Sequence, residues 1–247
     1  MKTLPFNPIT VSLMLGSMAF AAGNAQASAS FDSAATLTYT ITSIANDTHP
    51  GDFGNLIINA SFEQDTSASN SYQIINGVGT IDATNPAYSS PLTPQVGASF
   101  SRTFNVSGNL TRGTLESHHL GLFGLNFENL GTDTYSIGVS LSYALSPSVA
   151  GPEADSDITL DWFNEDGSAF GYYYVYANQP SQGNAGPAVY NFTLGALAAD
   201  ALYADVAING NLAAAPVPLP AATWSFLAGL LGILGLRKRK IGDMTVS

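Results

Sequence analysis

Three aspartates, Asp155, Asp157 and Asp161, have the spacing and chemistry of candidate metal ligands. Because successive side chains of a β-strand point to opposite faces, odd-numbered positions along a strand share one face. Carboxylate oxygens are the hard ligands that Ca²⁺ takes in proteins. The three aspartates are therefore candidate calcium ligands, although neither EF-hand spacing nor a nonapeptide repeat accompanies them. The alternative is an exposed acidic strand face that keeps the protein soluble.

Aromatic residues close to these acids indicate a second chemistry, the stacking of sugar rings. Trp162 is followed along the chain by the run Tyr172-Tyr173-Tyr174. Aromatic rings on a β surface suit sugars because they combine an apolar face with a polar edge. If Phe170, Tyr172 and Tyr174 pack inward, Tyr173 points outward, and we expect Trp162 and Tyr173 to form a sugar-binding platform. The alternative places these rings in a core seam.

Signals for catalysis are few. Of the three histidines, His118 and His119 are adjacent, and on a strand they would point to opposite faces and chelate poorly. The sequence contains no His-Glu-x-x-His motif and no Gly-x-Ser-x-Gly elbow. Several glutamates are available for a glycosidase, but nothing pairs two of them. We therefore predict a protein that is not an enzyme, with a secreted hydrolase as the remaining alternative.

Charge excludes nucleic acid as a partner. Seventeen of the eighteen acids, but only Arg102 and Arg112 of the seven Lys and Arg, lie between residues 28 and 214, which leaves a net charge of −15. Such a domain is repelled by nucleic acid and by anionic lipid. The absence of cysteine excludes thiol catalysis and Cys-ligated zinc. No cofactor is expected apart from Ca²⁺.

The elements that must position these residues are predicted to be β-strands. Several segments alternate apolar and polar residues with a period of two, which is typical of half-buried strands. These segments are 37–42, 135–145, 157–162, 170–176 and 202–209. Turn-forming residues separate them, and Asp166-Gly167 predicts a hairpin. We expect an all-β fold of eight to ten strands, an antiparallel β-sandwich of the jelly-roll kind.

The start of the chain predicts a signal peptide over residues 1–27. Lys2 supplies a positive charge, and an apolar run from Ile9 to Ala22 follows it. Ala25 and Ala27 fit the small-x-small rule for signal peptidase cleavage. The run is short for a membrane span, which needs about 20 apolar residues. The mature protein is expected to begin near Ser28.

The end of the chain predicts a single transmembrane helix. Val217-Pro218-Leu219-Pro220 precedes an uncharged stretch from Ala221 to Leu236, and Arg237-Lys238-Arg239-Lys240 follows it. As a helix the uncharged stretch is about 24 Å long, somewhat less than the bilayer core of about 30 Å. The four basic residues should remain cytoplasmic by the positive-inside rule, which places the β domain on the outer side of the membrane.

This tail resembles the PEP-CTERM protein-sorting domain in its VPLP-type variant. The resemblance rests on residues 216–240, where Val217-Pro218-Leu219-Pro220, the glycine-rich apolar run and the basic cluster occur in order. The family's usual Pro-Glu-Pro is here Pro218-Leu219-Pro220. The resemblance implies an exported protein of Gram-negative bacteria that make extracellular polysaccharide. It also implies that a membrane-embedded exosortase is the partner that recognises the tail.

The sequence thus predicts three parts, a signal peptide at 1–27, a β ectodomain at 28–212 and a sorting segment at 216–240. We expect a protein held transiently in the inner membrane, processed by an exosortase and delivered to the cell surface or extracellular matrix. Its β domain would be structural or adhesive, with extracellular polysaccharide as a further partner. The alternatives are a carbohydrate-binding module, with or without Ca²⁺, and a secreted hydrolase.

Overall fold

The computed structural model of the 247-residue chain describes residues 28–214 and 229–230. Contacts divide the chain into two units, Ser28–Ala214 and the combination of Met1–Ala27 with Ala215–Ser247. The second unit lies almost wholly outside the described residues, and so do the predicted signal peptide and most of the predicted sorting segment. Within the described part of the chain, no helix is both long and apolar enough to cross a membrane.

Residues 28–214 form ten antiparallel strands and contain no helix. The strands are β1 (Ala29–Asn46), β2 (Leu56–Asp65), β3 (Tyr72–Asp82), β4 (Tyr88–Leu92), β5 (Ser99–Asn129), β6 (Tyr135–Ala150), β7 (Ala154–Asn164), β8 (Ala169–Tyr176), β9 (Ser181–Leu194) and β10 (Ala199–Ala214). The predicted all-β antiparallel fold is confirmed, and each segment predicted from its alternation lies within a strand.

The longest strand, β5, organises the sheet. Along one edge it pairs first with β1 and then with β10, and along the other edge first with β3 and then with β2. The hydrogen-bonded order is β8-β7-β10-β5-β1-β6-β9, and β4 extends the sheet beyond β2. A single 31-residue strand therefore connects a β1-β6-β9 branch to a β10-β7-β8 branch.

The two branches face each other and enclose the core. Across the interior, the Ser33 hydroxyl on β1 hydrogen-bonds the Ser156 hydroxyl on β7 at 2.7 Å. Phe62 on β2 packs against Phe123 and Phe104, with ring centroids 4.8 and 5.9 Å apart. The sequence predicted an antiparallel β-sandwich of the jelly-roll kind, in which two sheets pack face to face. All ten strands instead form one hydrogen-bonded sheet, because β5 is long enough to run through both layers.

Two glycines allow β5 to pass from one branch to the other. Gly113, with φ +101°, lies opposite Gly77 of β3, with φ +147°. A Cβ at Gly113 would lie 1.9 Å from the Asn76 carbonyl oxygen, and a Cβ at Gly77 would lie 1.9 Å from that of Arg112. Only glycine combines this backbone conformation with so close an approach of two chains.

The predicted hairpin at Asp166-Gly167 is confirmed. β7 ends at Asn164, β8 begins at Ala169, and the Gly167 N–H donates a hydrogen bond to the Asn164 carbonyl at 2.9 Å. Gly167 has φ +77°, the left-handed conformation that glycine adopts without steric cost. This turn fixes β8 beside β7 and thereby sets which tyrosines reach the surface.

Candidate functional site

The predicted sugar platform of Trp162 and Tyr173 is wrong, because both residues face the interior. Trp162 has 0% of its surface exposed and packs edge-on against Phe170, with centroids 5.1 Å apart. Tyr173 is half-buried, and its ring lies 4.7 Å from that of Tyr143 on β6. Its hydroxyl accepts a hydrogen bond from the Gly186 N–H on β9 at 2.5 Å. Tyr173 therefore joins the two outermost strands, β8 and β9.

A β-bulge explains why the tyrosines face opposite to the prediction. Trp162 pairs with Gly171 and Phe163 with Ala169, so Phe170 is an extra residue on β8. A one-residue offset reverses every side chain that follows it. Phe170 still packs inward on Trp162, but beyond it Tyr172, Tyr174 and Tyr176 point outward, with 62%, 52% and 44% of their surfaces exposed.

The aspartates of β7 share this outer surface with the three tyrosines. Asp157 lies opposite Tyr176, and Asp161 lies opposite Tyr172. Directly opposite residues in an antiparallel pair point to the same face and lie within about 5.5 Å of each other at Cβ. The predicted sharing of one strand face by Asp155, Asp157 and Asp161 is therefore confirmed.

These three aspartates do not converge on one calcium ion, however. Asp155 and Asp161 are six residues apart, which corresponds to about 20 Å along a strand. Ca²⁺ ligands lie at 2.3–2.6 Å, so the two carboxylates cannot share an ion. Within residues 28–214 no group of three His, Cys, Asp or Glu side chains is placed to hold a metal. The predicted calcium site of the three aspartates is therefore not formed.

Asp157 belongs instead to a hydrogen-bonded row that crosses three strands. The Asn209 side-chain amide on β10 donates to the Asp157 carboxylate at 2.7 Å. The Asn209 amide oxygen lies 2.5 Å from His118 Nδ1 on β5. Tyr72 on β3 stacks on the His118 ring at 5.7 Å and donates its hydroxyl to Glu116 at 3.0 Å. The row thus holds its polar groups in fixed positions between two exposed tyrosines, Tyr72 at one end and Tyr176, opposite Asp157, at the other.

An open hollow of about 290 Å³ lies next to this row. Its lining combines the carboxylates of Glu116, Glu153 and Asp155 with the amides of Asn76 and Asn211. Ile74 and Thr114 contribute apolar and hydroxyl surface. Carboxylates and amides supply both acceptors and donors, the complement that a ligand rich in hydroxyl groups requires.

We call this surface the tyrosine face. It comprises the outward residues of β8, β7, β10, β5 and β3, namely Tyr172, Tyr174, Tyr176, Asp155, Asp157, Asp161, Asp205, Asn209, Asn211, Glu116, His118 and Tyr72. A hydrogen bond to Asp155 raises the pKa of Tyr176, and burial with the charges of Asp157 and Asp155 raises that of Tyr174. Both phenols therefore remain neutral hydrogen-bond donors well above neutral pH.

Asp205 is the most perturbed acid of the tyrosine face. Partial burial, reinforced by the negative charges of Asp161 and Asp65, raises its pKa to about 6. A like charge disfavours ionisation because it adds repulsion to the loss of solvation. At this end of the face one carboxyl therefore takes up a proton in mildly acidic solution.

The histidines are dispersed rather than assembled into a catalytic group. His118 lies on the tyrosine face, whereas His119 is buried in the core, where desolvation lowers its pKa. The predicted divergence of these two neighbours is confirmed. His49 hydrogen-bonds Asp133 at 2.9 Å, and Asn46 donates to the same carboxylate at 2.7 Å. These contacts tether the loop that follows β1.

The remaining predicted site residues fall outside the described part of the chain. They are the cleavage residues Ala25 and Ala27, the sorting motif Val217, Pro218, Leu219 and Pro220, and the basic residues Arg237, Lys238, Arg239 and Lys240. Their roles stay predictions.

Sequence reasoning missed the tyrosines that reach the surface and most of the hollow. Alternation identified an aromatic strand, but the phase of that strand depends on the bulge at Phe170, for which the only local signal is Gly171. Glu116 on β5, Asn211 on β10 and Glu153 in the turn before β7 come together only because β5, β7 and β10 are neighbours in the sheet. No spacing within the sequence marks them as a set.

Comparison with protein-family models, curated proteins and solved structures finds no match for this chain.

Proposed function

We propose that this protein is an exported, non-catalytic surface or matrix protein whose tyrosine face contacts extracellular polysaccharide. The observation that carries the proposal is the ladder of Tyr172, Tyr174 and Tyr176, exposed side by side with carboxylates and amides on the neighbouring strands. Alternate residues of a strand are about 7 Å apart, so the ladder offers successive aromatic surfaces along one direction.

The chemistry of the face favours a neutral, hydroxyl-rich polymer. Tyrosine rings provide apolar surface against which the C–H face of a sugar packs, and their hydroxyl groups donate hydrogen bonds. Asp157 and Asn209 are already oriented by their mutual hydrogen bond and retain further acceptor capacity. The net charge of −15 between residues 28 and 214 opposes an anionic polymer.

The tail supports delivery to the place where such a polymer is found. Its resemblance to the PEP-CTERM sorting domain implies export, transient anchoring in the inner membrane and processing by an exosortase. In this proposal the sorting segment brings the β domain to the cell surface, and the tyrosine face acts there through many shallow contacts. An adhesive or structural role needs no deep cleft, and the open form of the hollow suits it.

Affinity electrophoresis of the full-length protein tests the proposal. The gel contains the producing cell's own purified extracellular polysaccharide, and a polysaccharide-free gel corrects for charge and size. The protein should be retarded, and a Tyr172→Ala, Tyr174→Ala, Tyr176→Ala variant should lose most of that retardation. Tyr88→Ala is the matched control, because Tyr88 is an exposed tyrosine on β4 outside the tyrosine face. Equal mobility of wild-type protein in both gels would contradict the proposal.

A further inference from the structure

The outer edge of β3 differs from the other strand edges of the sheet. Seven consecutive residues, Tyr72–Val78, are exposed, and they include the apolar side chains Ile74, Ile75 and Val78. Among the described residues β3 pairs only with β5, so one side of its backbone has no strand beside it. An open edge offers backbone N–H and C=O groups to any strand that approaches it.

The other edges are shortened or covered. β4 has only five residues and contains Pro91, which cannot donate to a hydrogen-bond ladder. β8 and β9 shield each other through the hydrogen bond between the Gly186 N–H and the Tyr173 hydroxyl. β3 has eleven residues, and the ten from Tyr72 to Ile81 contain neither a charged residue nor a proline. Charge, proline and a covering segment, three of the usual devices that blunt a strand edge, are therefore missing along the described residues Tyr72–Ile81, where the pairing with β5 is interrupted only by a bulge between Val78 and Gly79.

Charge indicates which partner the edge accepts. Two copies of a domain with a net charge of −15 repel each other over most of their surfaces. The β3 edge is locally neutral, since Glu116 lies beside Ile74 and Arg112, one of two cations between residues 28 and 214, lies beside Val78. It is thus a place where a second copy approaches at low electrostatic cost.

We propose that β3 pairs antiparallel with β3 of a second copy of this chain. A twofold axis at Asn76 would place Ile74 of one copy opposite Val78 of the other on the outer face, twice in the same interface. Glu116 beside Ile74 in one copy and Arg112 beside Val78 in the second copy would then lie in one line across the paired sheets. Such pairing is isologous, satisfies backbone groups on both chains and closes after two copies.

The absence of native cysteine makes the register directly measurable. In the full-length protein, single cysteines replace Tyr72, Ile74, Asn76, Val78 or Thr80, and each variant is oxidised and run on a non-reducing gel. Covalent dimer should peak at Asn76→Cys, several-fold above the flanks. A cysteine two residues from the axis lies about 14 Å from its counterpart, beyond the reach of a disulfide. Ser89→Cys on the β4 edge is the control, since Ser89 is also exposed.

A second variant checks the pairing without cysteine. Asn76→Lys places two positive charges opposite each other at the axis, and it should convert dimer to monomer in sedimentation velocity, whereas Ser89→Lys should not. Circular dichroism melting curves of both variants show whether the fold is retained. A single peak anywhere between Tyr72 and Thr80 supports self-pairing. A cross-linking yield that is flat along β3 and equal to that of Ser89→Cys overturns it, including the case in which another segment or protein covers the edge.

Discussion

At the scale of single residues, burial separates the aromatic side chains that hold the fold from those that a ligand can reach. Trp162 and Tyr174 lie on neighbouring strands, but Trp162 is enclosed by Phe170 and Tyr190 whereas half of Tyr174 is exposed. Composition alone treats both as candidates for sugar stacking. Only the direction in which each side chain points distinguishes a core residue from a binding residue.

Replacing each of these residues with alanine should have opposite consequences. Trp162→Ala leaves a large cavity and should lower the free energy of unfolding by about 3–5 kcal/mol. Tyr174→Ala removes surface that is largely in water and should change it by less than about 1 kcal/mol. Urea unfolding of the two variants, followed by circular dichroism, measures both values. Similar losses for the two would mean that the faces of β7 and β8 are assigned incorrectly.

Asp205 predicts a pH dependence of stability with a definite sign. Its pKa is raised to about 6, above the value of about 3.9 of an unfolded aspartate, so the folded protein binds the proton more tightly. This group therefore favours the folded state below about pH 4, and its contribution is lost as the pH rises through 6. Asp205→Asn should remove that loss and stabilise the protein at pH 7 by about 1 kcal/mol, a value that allows for solvent screening.

Unfolding curves at pH 4 and pH 7 measure this effect. The difference in free energy between Asp205→Asn and wild type should be larger at pH 7 than at pH 4. Asp200→Asn serves as a comparison, because Asp200 is at the start of the same strand, away from Asp161 and Asp65. A variant that is less stable than wild type at pH 7 would contradict the repulsive environment assigned to Asp205.

At the scale of elements, β5 determines how the two branches are connected, and its passage from one branch to the other depends on Gly113. Gly113→Ala should cost about 3 kcal/mol or more, because the new Cβ meets the Asn76 carbonyl and the backbone conformation is strained as well. Gly167→Ala is the matched control, with positive φ but nothing within 4 Å of its Cβ, and should cost about 1 kcal/mol. Thermal unfolding of both compares them, and equal losses would show that the close crossing of β3 and β5 is not required.

Much of the strand content could be predicted from the sequence, but the assembly of the strands could not. Alternation located β1, β6, β7, β8 and β10 because each has one face in the core and one in solvent. β3 lacked that signal, since it is exposed on both faces. The pairing of β5 with four different strands, and thus the single sheet, depends on contacts between residues far apart in the chain.

The candidate site was predictable in type but not in position. The acids of β7 were found because even spacing on a strand implies a shared face, and this holds whatever the neighbouring strands are. The tyrosines were assigned to the wrong faces because one bulged residue, Phe170, reverses the alternation that follows. Apart from Asp155, the hollow could not be found, since its residues come from β3, β5, β7, β10 and the turn before β7.

At the scale of the whole molecule, the acidic surface and the neutral β3 edge act against each other. Salt screens repulsion between exposed acids, with a Debye length of about 8 Å at physiological ionic strength. Self-association through β3 should therefore strengthen as salt is raised from low to physiological concentration. Sedimentation velocity at two salt concentrations measures this, and a dimer that dissociates on adding salt would indicate an ion-paired interface instead.

Pairing would also place two tyrosine faces on the same side of a continuous sheet, and a polymer could contact both at once.

The proposed contact with extracellular polysaccharide requires that the β domain leaves the cell. Intact mass spectrometry of the protein from the membrane fraction and from the surface or culture medium tests this most directly. The membrane form should begin at Ser28 and still contain residues 237–240, and the released form should begin at Ser28 and lack Trp224 to Lys240. A released form that retains Trp224 to Lys240, or a protein found only in the cytoplasm with residues 1–27 intact, would contradict export and exosortase processing.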